Sequence, residues 1–353
     1  MTLRVSTYHI GDNLLLLVLL LLSACSPSTQ EGGDGMVNLT VKAETSSSNE
    51  ASATLPDKEK NIYDLTVYIF NAQGYTIGYA SKTFSNGVAS SVTVPTRQAS
   101  GCTLVTIANA MKLNGGTSPF VGVSTLADLR KQYHTFSGVS DIMNEDCLMM
   151  VGQKTNVTTS TAKSSISLQR LASRLDFTIT VKADMVTGLP IVVDSYQLCH
   201  APLSAFYAPA DMSSTGITLP SGTSFVEYAA NSTAFNSWTS GSNSQSYTAY
   251  VYANPATTAT DATYLLIKAH SQASNTDTRK IWQSEFKVYL TGITGITGLA
   301  DYQLLPNYHY TIGITVQGSA TEHNGVKTVY TAYPYLAGGS VISWTNENRP
   351  ADM

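Results

Sequence analysis

The hydrophobic pattern of this chain is dominated by period two. MVNLTVKAE (36–44) alternates Val37, Leu39 and Val41 with Asn38, Thr40 and Lys42, which predicts a strand with one buried face. A polar stretch, TSSSNEASATLPDKEKN (45–61), follows. It is longer than the loops usual in a compact domain, and such loops tend to be functional or disordered. IYDLTVYIFNAQG (62–74) then predicts a strand closed by a turn, and GVASSVTVP (87–95) predicts an alternating strand ended by Pro95. CTLVTIANA (102–110) is nearly continuous in apolar residues, as expected of a strand buried on both faces.

One helix is predicted in this half, STLADLRKQY (124–133), with Ser124 as N-cap and Leu126, Leu129 and Tyr133 at helical spacing. CLMMVGQ (147–153) and SISLQRLASRLDFTITV (165–181) follow. The latter holds two alternating runs joined through Gln169 and Arg170, where a domain boundary is placed. The second half repeats the style in PIVVDSYQLC (190–199), QSYTAYVYAN (245–254), ATYLLIKAH (262–270), KIWQSEFKVYL (280–290), NYHYTIGITVQG (307–318) and TVYTAYPYL (328–336). Strands at short intervals with turn residues between them predict sandwiches. Within the long Ser/Thr/Asn/Ala-rich stretch 202–246, FVEYAANSTAFNSWTSGSNSQS (225–246), which contains Trp238, is expected to be an exposed excursion, either carrying adhesive function or forming variable surface with no ligand.

The N terminus changes the picture of where the chain resides. Leu14–Leu22 is an apolar run of nine residues, interrupted only by Val18. A membrane-spanning helix needs about 20 residues, whereas the apolar core of an export signal needs about 7–15. Leu22-Ser23-Ala24-Cys25 has the form of a lipobox, cut before Cys25, which is then acylated. Acyl chains hold a folded protein at a bilayer surface without a spanning helix. Residues 1–24 are therefore expected to be a lipoprotein signal peptide and 25–35 a flexible tether. The mature chain of about 330 residues favours two domains, 36–170 and 171–353.

Composition agrees with an all-β chain rich in Ser, Thr, Gly, Ala, Tyr and Val. With Cys25 lipidated, Cys102, Cys147 and Cys199 form no disulfide framework, so burial has to supply the stability. The formal net charge of −4, thinly spread, argues against nucleic acid, which needs a clustered basic face. No metalloprotease, phosphate-loop, nucleophile-elbow or calcium-loop motif is present, so neither an enzyme, a cofactor nor a metal site is expected. Cys199 and His200 are adjacent and would point to opposite faces of a strand. The 20 tyrosines, mostly in predicted strands, suit cross-strand packing. An aromatic face that binds glycans, on a surface lipoprotein, is the alternative.

Several of these runs occur in an order that resembles a known family: LTVYIFNAQG, TLVTIANA, ADLRKQY, LMMVGQ, QRLASRLDFTITV and NYHYTIGITVQG, then a terminal SVISW, all after a lipobox and an alternating first strand. The chain resembles the fimbrillins, the pilus subunits of Bacteroidales-type (type V) fimbriae. The resemblance implies two transthyretin-like β-sandwich domains, export as an outer-membrane lipoprotein, and assembly by donor-strand exchange into a fimbrium at the cell surface. A surface protease would cut the loop after the first strand, and the C-terminal strand of another subunit would fill the groove. Its partners would be other fimbrial subunits, the outer membrane through the lipid, and ligands on host or bacterial surfaces.

Carried over by position, Val37, Leu39 and Val41 would form the groove-filling face of the removable strand. The donor would lie within Thr328–Trp344 and contribute Val329, Val341, Ile342 and Trp344. The family's protease is arginine-specific in its best-known members, yet no arginine lies between Arg4 and Arg97. Lys58 and Lys60 are the only basic residues of the loop. A subunit that is not cut cannot accept a donor, which leans the expectation towards an anchor or accessory role.

Overall fold

The computed structural model describes residues 36–44, 56–87, 89, 91–160, 163–241, 243–290, 302–319 and 326–334. The first half carries β1 (Met36–Glu44), β2 (Asp64–Phe70), β3 (Thr76–Thr83), β4 (Val92–Arg97), β5 (Cys102–Ala108), β6 (Tyr133–Thr135), β7 (Met150–Val157), β8 (Lys163–Ser167) and β9 (Gln169–Arg170). Four short helices accompany them: α1 (Asp57–Lys60), α2 (Ala110–Leu113), α3 (Leu126–Lys131) and α4 (Val139–Met143). The second half carries β10 (Ala172–Val181), β11 (Ile191–Cys199), β12 (Ala201–Pro202), β13 (Ser204–Phe206), β14 (Phe225–Val226), β15 (Phe235–Asn236), β16 (Ser244–Tyr252), β17 (Tyr264–Gln272), β18 (Lys280–Tyr289), β19 (Tyr308–Val316) and β20 (Val326–Pro334). The chain is nearly all β, as its composition predicts.

One eight-stranded sheet organises the first half, in the order β8-β1-β4-β3-β2-β5-β7-β9. Its end strands β8 and β9 are separated only by Leu168, so the sheet curls back on itself. Ile62, Leu65, Val67, Val94, Leu104 and Met150 fill the interior. Gly152 makes the closure possible: a Cβ there would lie 2.4 Å from the carbonyl oxygen of Ser167 and 2.9 Å from Ile166. In the second half, sheet β16-β10-β19-β20 faces sheet β15-β11-β17-β18. Between them Leu175, Phe177 and Ile179 pack with Val193, Leu198, Ile267 and Ile312 in a sandwich core. A third cluster joins the halves. Tyr68, Phe70 and Ile107 of the first sheet meet Tyr207, Tyr250 and Tyr252, with Leu129 of α3 and Ile142 of α4 between them.

Four details differ from the sequence reading. β3 was not foreseen; it is largely exposed and carries no alternating apolar signal. Pro95 does not end its strand but lies inside β4. β3 meets β4 only at Gly78 and Thr96, so that side has no continuous ladder in which an N–H would be missed. The N-cap of α3 is Thr125 rather than Ser124: its hydroxyl accepts from the amide of Asp128, whose carboxylate accepts from the Thr125 amide in return. The stretch 225–246 is exposed along much of its length but is anchored by buried Tyr228 and Phe235. It lies within a longer stretch, 202–246, that is partly built into the fold: the longer stretch contributes β13, β14 and β15, and also buries Tyr207.

Replacing Gly152 with alanine drives a methyl group into a backbone carbonyl that has little room to move. Urea unfolding of Gly152→Ala is expected to show a loss of about 2–3 kcal/mol, the usual scale of overpacking. An unchanged midpoint would mean that the sheet does not close at this residue.

Candidate functional site

β1 is first in the chain yet interior to its sheet. It pairs antiparallel with β4 from Met36↔Arg97 to Val41↔Val92, and parallel with β8 from Thr40↔Lys163 to Glu44↔Ser167. The register sets Val37, Leu39 and Val41 opposite Thr96, Val94 and Val92, which are all buried. Without β1, both β4 and β8 would present an unpaired backbone edge.

The segment that re-enters the fold after the following loop is Pro56–Tyr63, and it carries the two lysines predicted as cleavage positions. Asp57–Lys60 forms the single turn α1, in which Lys60 pairs with Asp57 at 2.8 Å. Glu59 between the lysines is fully buried. Its carboxylate accepts hydrogen bonds from Arg174 Nη1 at 3.2 Å and from the Tyr250 hydroxyl at 2.8 Å, and its carbonyl accepts from Arg170 Nε at 2.8 Å. A buried carboxylate is tolerated only when it is paired and hydrogen-bonded in this way. Lys58 donates to the carbonyl of Ile142 and lies 5.0 Å above the Tyr250 ring. Burial pulls its amine down to about 8.

The next residues fasten the segment to the first sheet. Ile62 donates its amide to the carbonyl of Gly87. The Tyr63 hydroxyl donates to the Asp146 carboxylate at 2.6 Å. Asn109, buried and in the left-handed region at φ 65°, is the centre of this attachment. Its amide nitrogen donates to the carbonyls of Asn61 and Leu148 at 2.9 and 2.7 Å, and its oxygen accepts from the Tyr63 amide at 2.7 Å. The Asn-Ala ending of CTLVTIANA therefore has a structural reason: asparagine tolerates the left-handed backbone and can satisfy three partners at once.

β10 supplies the other side. Its register places Arg174 between Tyr250 of β16 and His309 of β19, and Asp176 beside Thr248. Asp176 accepts from Arg174 at 3.0 Å, from Thr248 at 2.7 Å and from His309 Nε2 at 2.6 Å when that nitrogen carries the proton. Burial opposes ionisation of Asp176, but the three hydrogen bonds more than offset it and hold the carboxyl well below its usual range. Glu59, Arg170, Arg174 and Tyr250 were not singled out from sequence. The available signal was an arginine at 170 and another at 174 inside an otherwise apolar alternating run.

Val329 lies in β20 opposite Gly313 of β19. Cys25, Val341, Ile342 and Trp344 lie outside the described residues. Cys102, Cys147 and Cys199 are buried free thiols. The tyrosines mostly pack: Tyr196, Tyr207, Tyr252 and Tyr310 are buried. Tyr75, Tyr79 and Tyr133 are exposed. The half-buried Tyr264, Tyr289 and Tyr302 meet at 5.4 and 5.5 Å with interplanar angles of 54° and 88°. They share no flat face on which a sugar ring could stack. Trp238 is partly buried and donates its amide to Asn236.

Residues 36–185 match the family model described as Major fimbrial subunit protein (FimA). Among solved structures, the chain is similar to a fimbrilin from Porphyromonas gingivalis (13% identity, 84% of this chain and 97% of that one, TM-score 0.58). It is also similar to a candidate cell adhesion protein from Parabacteroides distasonis (18% identity, 85% and 98%, TM-score 0.58). A third similarity is to the tip fimbrial protein Mfa3 from Porphyromonas gingivalis, with C-terminal truncation (12% identity, 84% and 99%, TM-score 0.51). At these identities the likeness establishes a shared β-sandwich fold. No curated protein matches the chain.

The Asp176 network makes stability depend on pH. The folded carboxyl titrates below its ordinary value of 3.8, so its stabilisation is complete above that value and is lost as pH falls through the folded one. Asp176→Asn is expected to cost about 2 kcal/mol at neutral pH, with the wild-type advantage steady to about pH 5 and shrinking below about pH 4. Denaturant titrations across pH measure this. An advantage undiminished at about pH 2 would contradict it.

Proposed function

We propose that this chain, which over residues 36–185 matches the major fimbrial subunit family, is a non-enzymatic structural subunit of a cell-surface fimbria. It is exported as an outer-membrane lipoprotein through Cys25 and folds as two tandem sandwiches divided near residue 170. It joins its neighbours by strand exchange. The observation that carries this reading is the seat of β1. The first described strand lies between two strands that would otherwise expose their edges, and residues 45–55 join it to the next described segment. A strand so placed can be exchanged for an equivalent from another subunit, because main-chain pairing is independent of sequence and alternate side chains fill the core-side row. Each apolar side chain so buried contributes about 1.5–3 kcal/mol, which gives a long-lived joint.

The absence of arginine between β1 and Arg97 supports an anchor or accessory position, in which β1 stays in place and the lipid holds the fibre base. The C-terminal segment from Thr328 to Trp344 is the candidate donor.

Surface material sheared from producing cells tests this reading. The chain is expected to run in detergent-resistant ladders that collapse on boiling, and Cys25→Ser is expected to move it from the outer-membrane fraction to the medium. A monomer in unboiled samples, unchanged in location by Cys25→Ser, would contradict both parts.

A further inference from the structure

The two lysyl bonds that a basic-residue-directed protease could use to free β1 both lie in α1, Lys58–Glu59 and Lys60–Asn61. A protease needs several residues on each side of the bond in an extended, accessible conformation, so a folded substrate is cut only from a locally opened state. Residues 57–60 form a helical turn, with extended backbone resuming only at Asn61, and the segment is not free. Glu59, which follows the first bond, is fully buried and receives three hydrogen bonds, two from Arg174 and Tyr250 of the second half and one from Arg170 of β9. Lys58 itself points inward, onto the Ile142 carbonyl and over the Tyr250 ring. Asn61, which follows the second bond, is tied through its carbonyl to Asn109 and through its side-chain amide to the carbonyl of Asp146. Between Glu44 and Lys58 there is no other lysine or arginine.

We infer that residues 56–63 are a latch that closes the seam between the two halves and seals both lysyl bonds, so that neither is a processing site in the folded protein. Cutting there requires the Glu59 contacts with Arg174 and Tyr250 to open first. The consequence for assembly, a first strand that stays covalently attached, rests on the fimbrial reading. The sealing of the bonds does not.

Limited proteolysis of the purified mature chain with a lysine-specific endoprotease tests the inference, with fragments beginning at Glu59 or Asn61 quantified by mass spectrometry. The reference is a free peptide of residues 54–64, whose cleavage rate is that of the fully open segment. Cleavage in the folded chain is expected to be at least about 100-fold slower than in the peptide. Glu59→Ala, with the buried carboxylate gone, is expected to raise it about 10-fold or more, while cleavage at the exposed Lys182 and Lys280 stays unchanged. Should Glu59→Ala fail to fold, Tyr250→Phe removes one hydrogen bond and keeps the ring over Lys58, and is expected to raise cleavage a few-fold. Wild-type cleavage at the peptide's rate would overturn the latch, as would variants that fold and leave the rate at both bonds unchanged. A sealed latch in a protein absent from surface fibres would leave this inference standing and remove only the fimbrial reading.

Discussion

The burial of one carboxylate, Glu59, is the constraint around which the two halves of this protein are arranged. A charge removed from water has to be matched at once by partners of the right sign and geometry. The partners come from β10 and β16 of the second half, Arg174 and Tyr250, with Arg170 on the backbone carbonyl. These contacts are possible only if the segment that leaves the loop after β1 crosses the seam before it enters β2. The same segment must then return to the first sheet, where Asn109 receives it. One short stretch thereby orders the loop exit, the start of β2 and the seam.

This arrangement sets two kinds of attachment side by side. The seat of β1 rests on main-chain pairing with β4 on one side and β8 on the other, which depends little on side-chain identity. The latch is specific, because it needs a carboxylate between two lysines and a matching Arg–Tyr pair in register on adjacent strands. Asp176 fixes Arg174 from the other side, which ties the latch to His309 and hence to β19. The first strand is thus held by main-chain pairing, and the turn at 57–60 by specific side-chain pairs.

How much of this was legible in the sequence depends on the kind of signal. Strands with a buried face were readable because alternation in 172–181, or a continuous apolar run in 102–108, reports burial directly. β3 was not, since a strand exposed along most of its length carries no such pattern. The one-turn helices α1, α2 and α4 are too short for a helical period to develop. The stretch 225–246 was half legible: its Ser/Thr/Asn content does mark exposed surface, while two separated aromatics, Tyr228 and Phe235, anchor it in the core. At the site, the basic residues Lys58 and Lys60 were visible, but Glu59 between them was not. Its role depends on Arg174 and Tyr250, 115 and 191 positions away. Long-range polar pairing of that kind leaves no local period to read.

The most direct measurement is the mass of the N-terminal peptide of the protein recovered from intact cells. If the first strand is retained behind a closed latch, the mature chain begins at an acylated Cys25 and runs unbroken through 36–61. A surface population that begins at Glu59 or Asn61 would contradict this account, because it would show that the turn opens to a protease and that the first strand is given up.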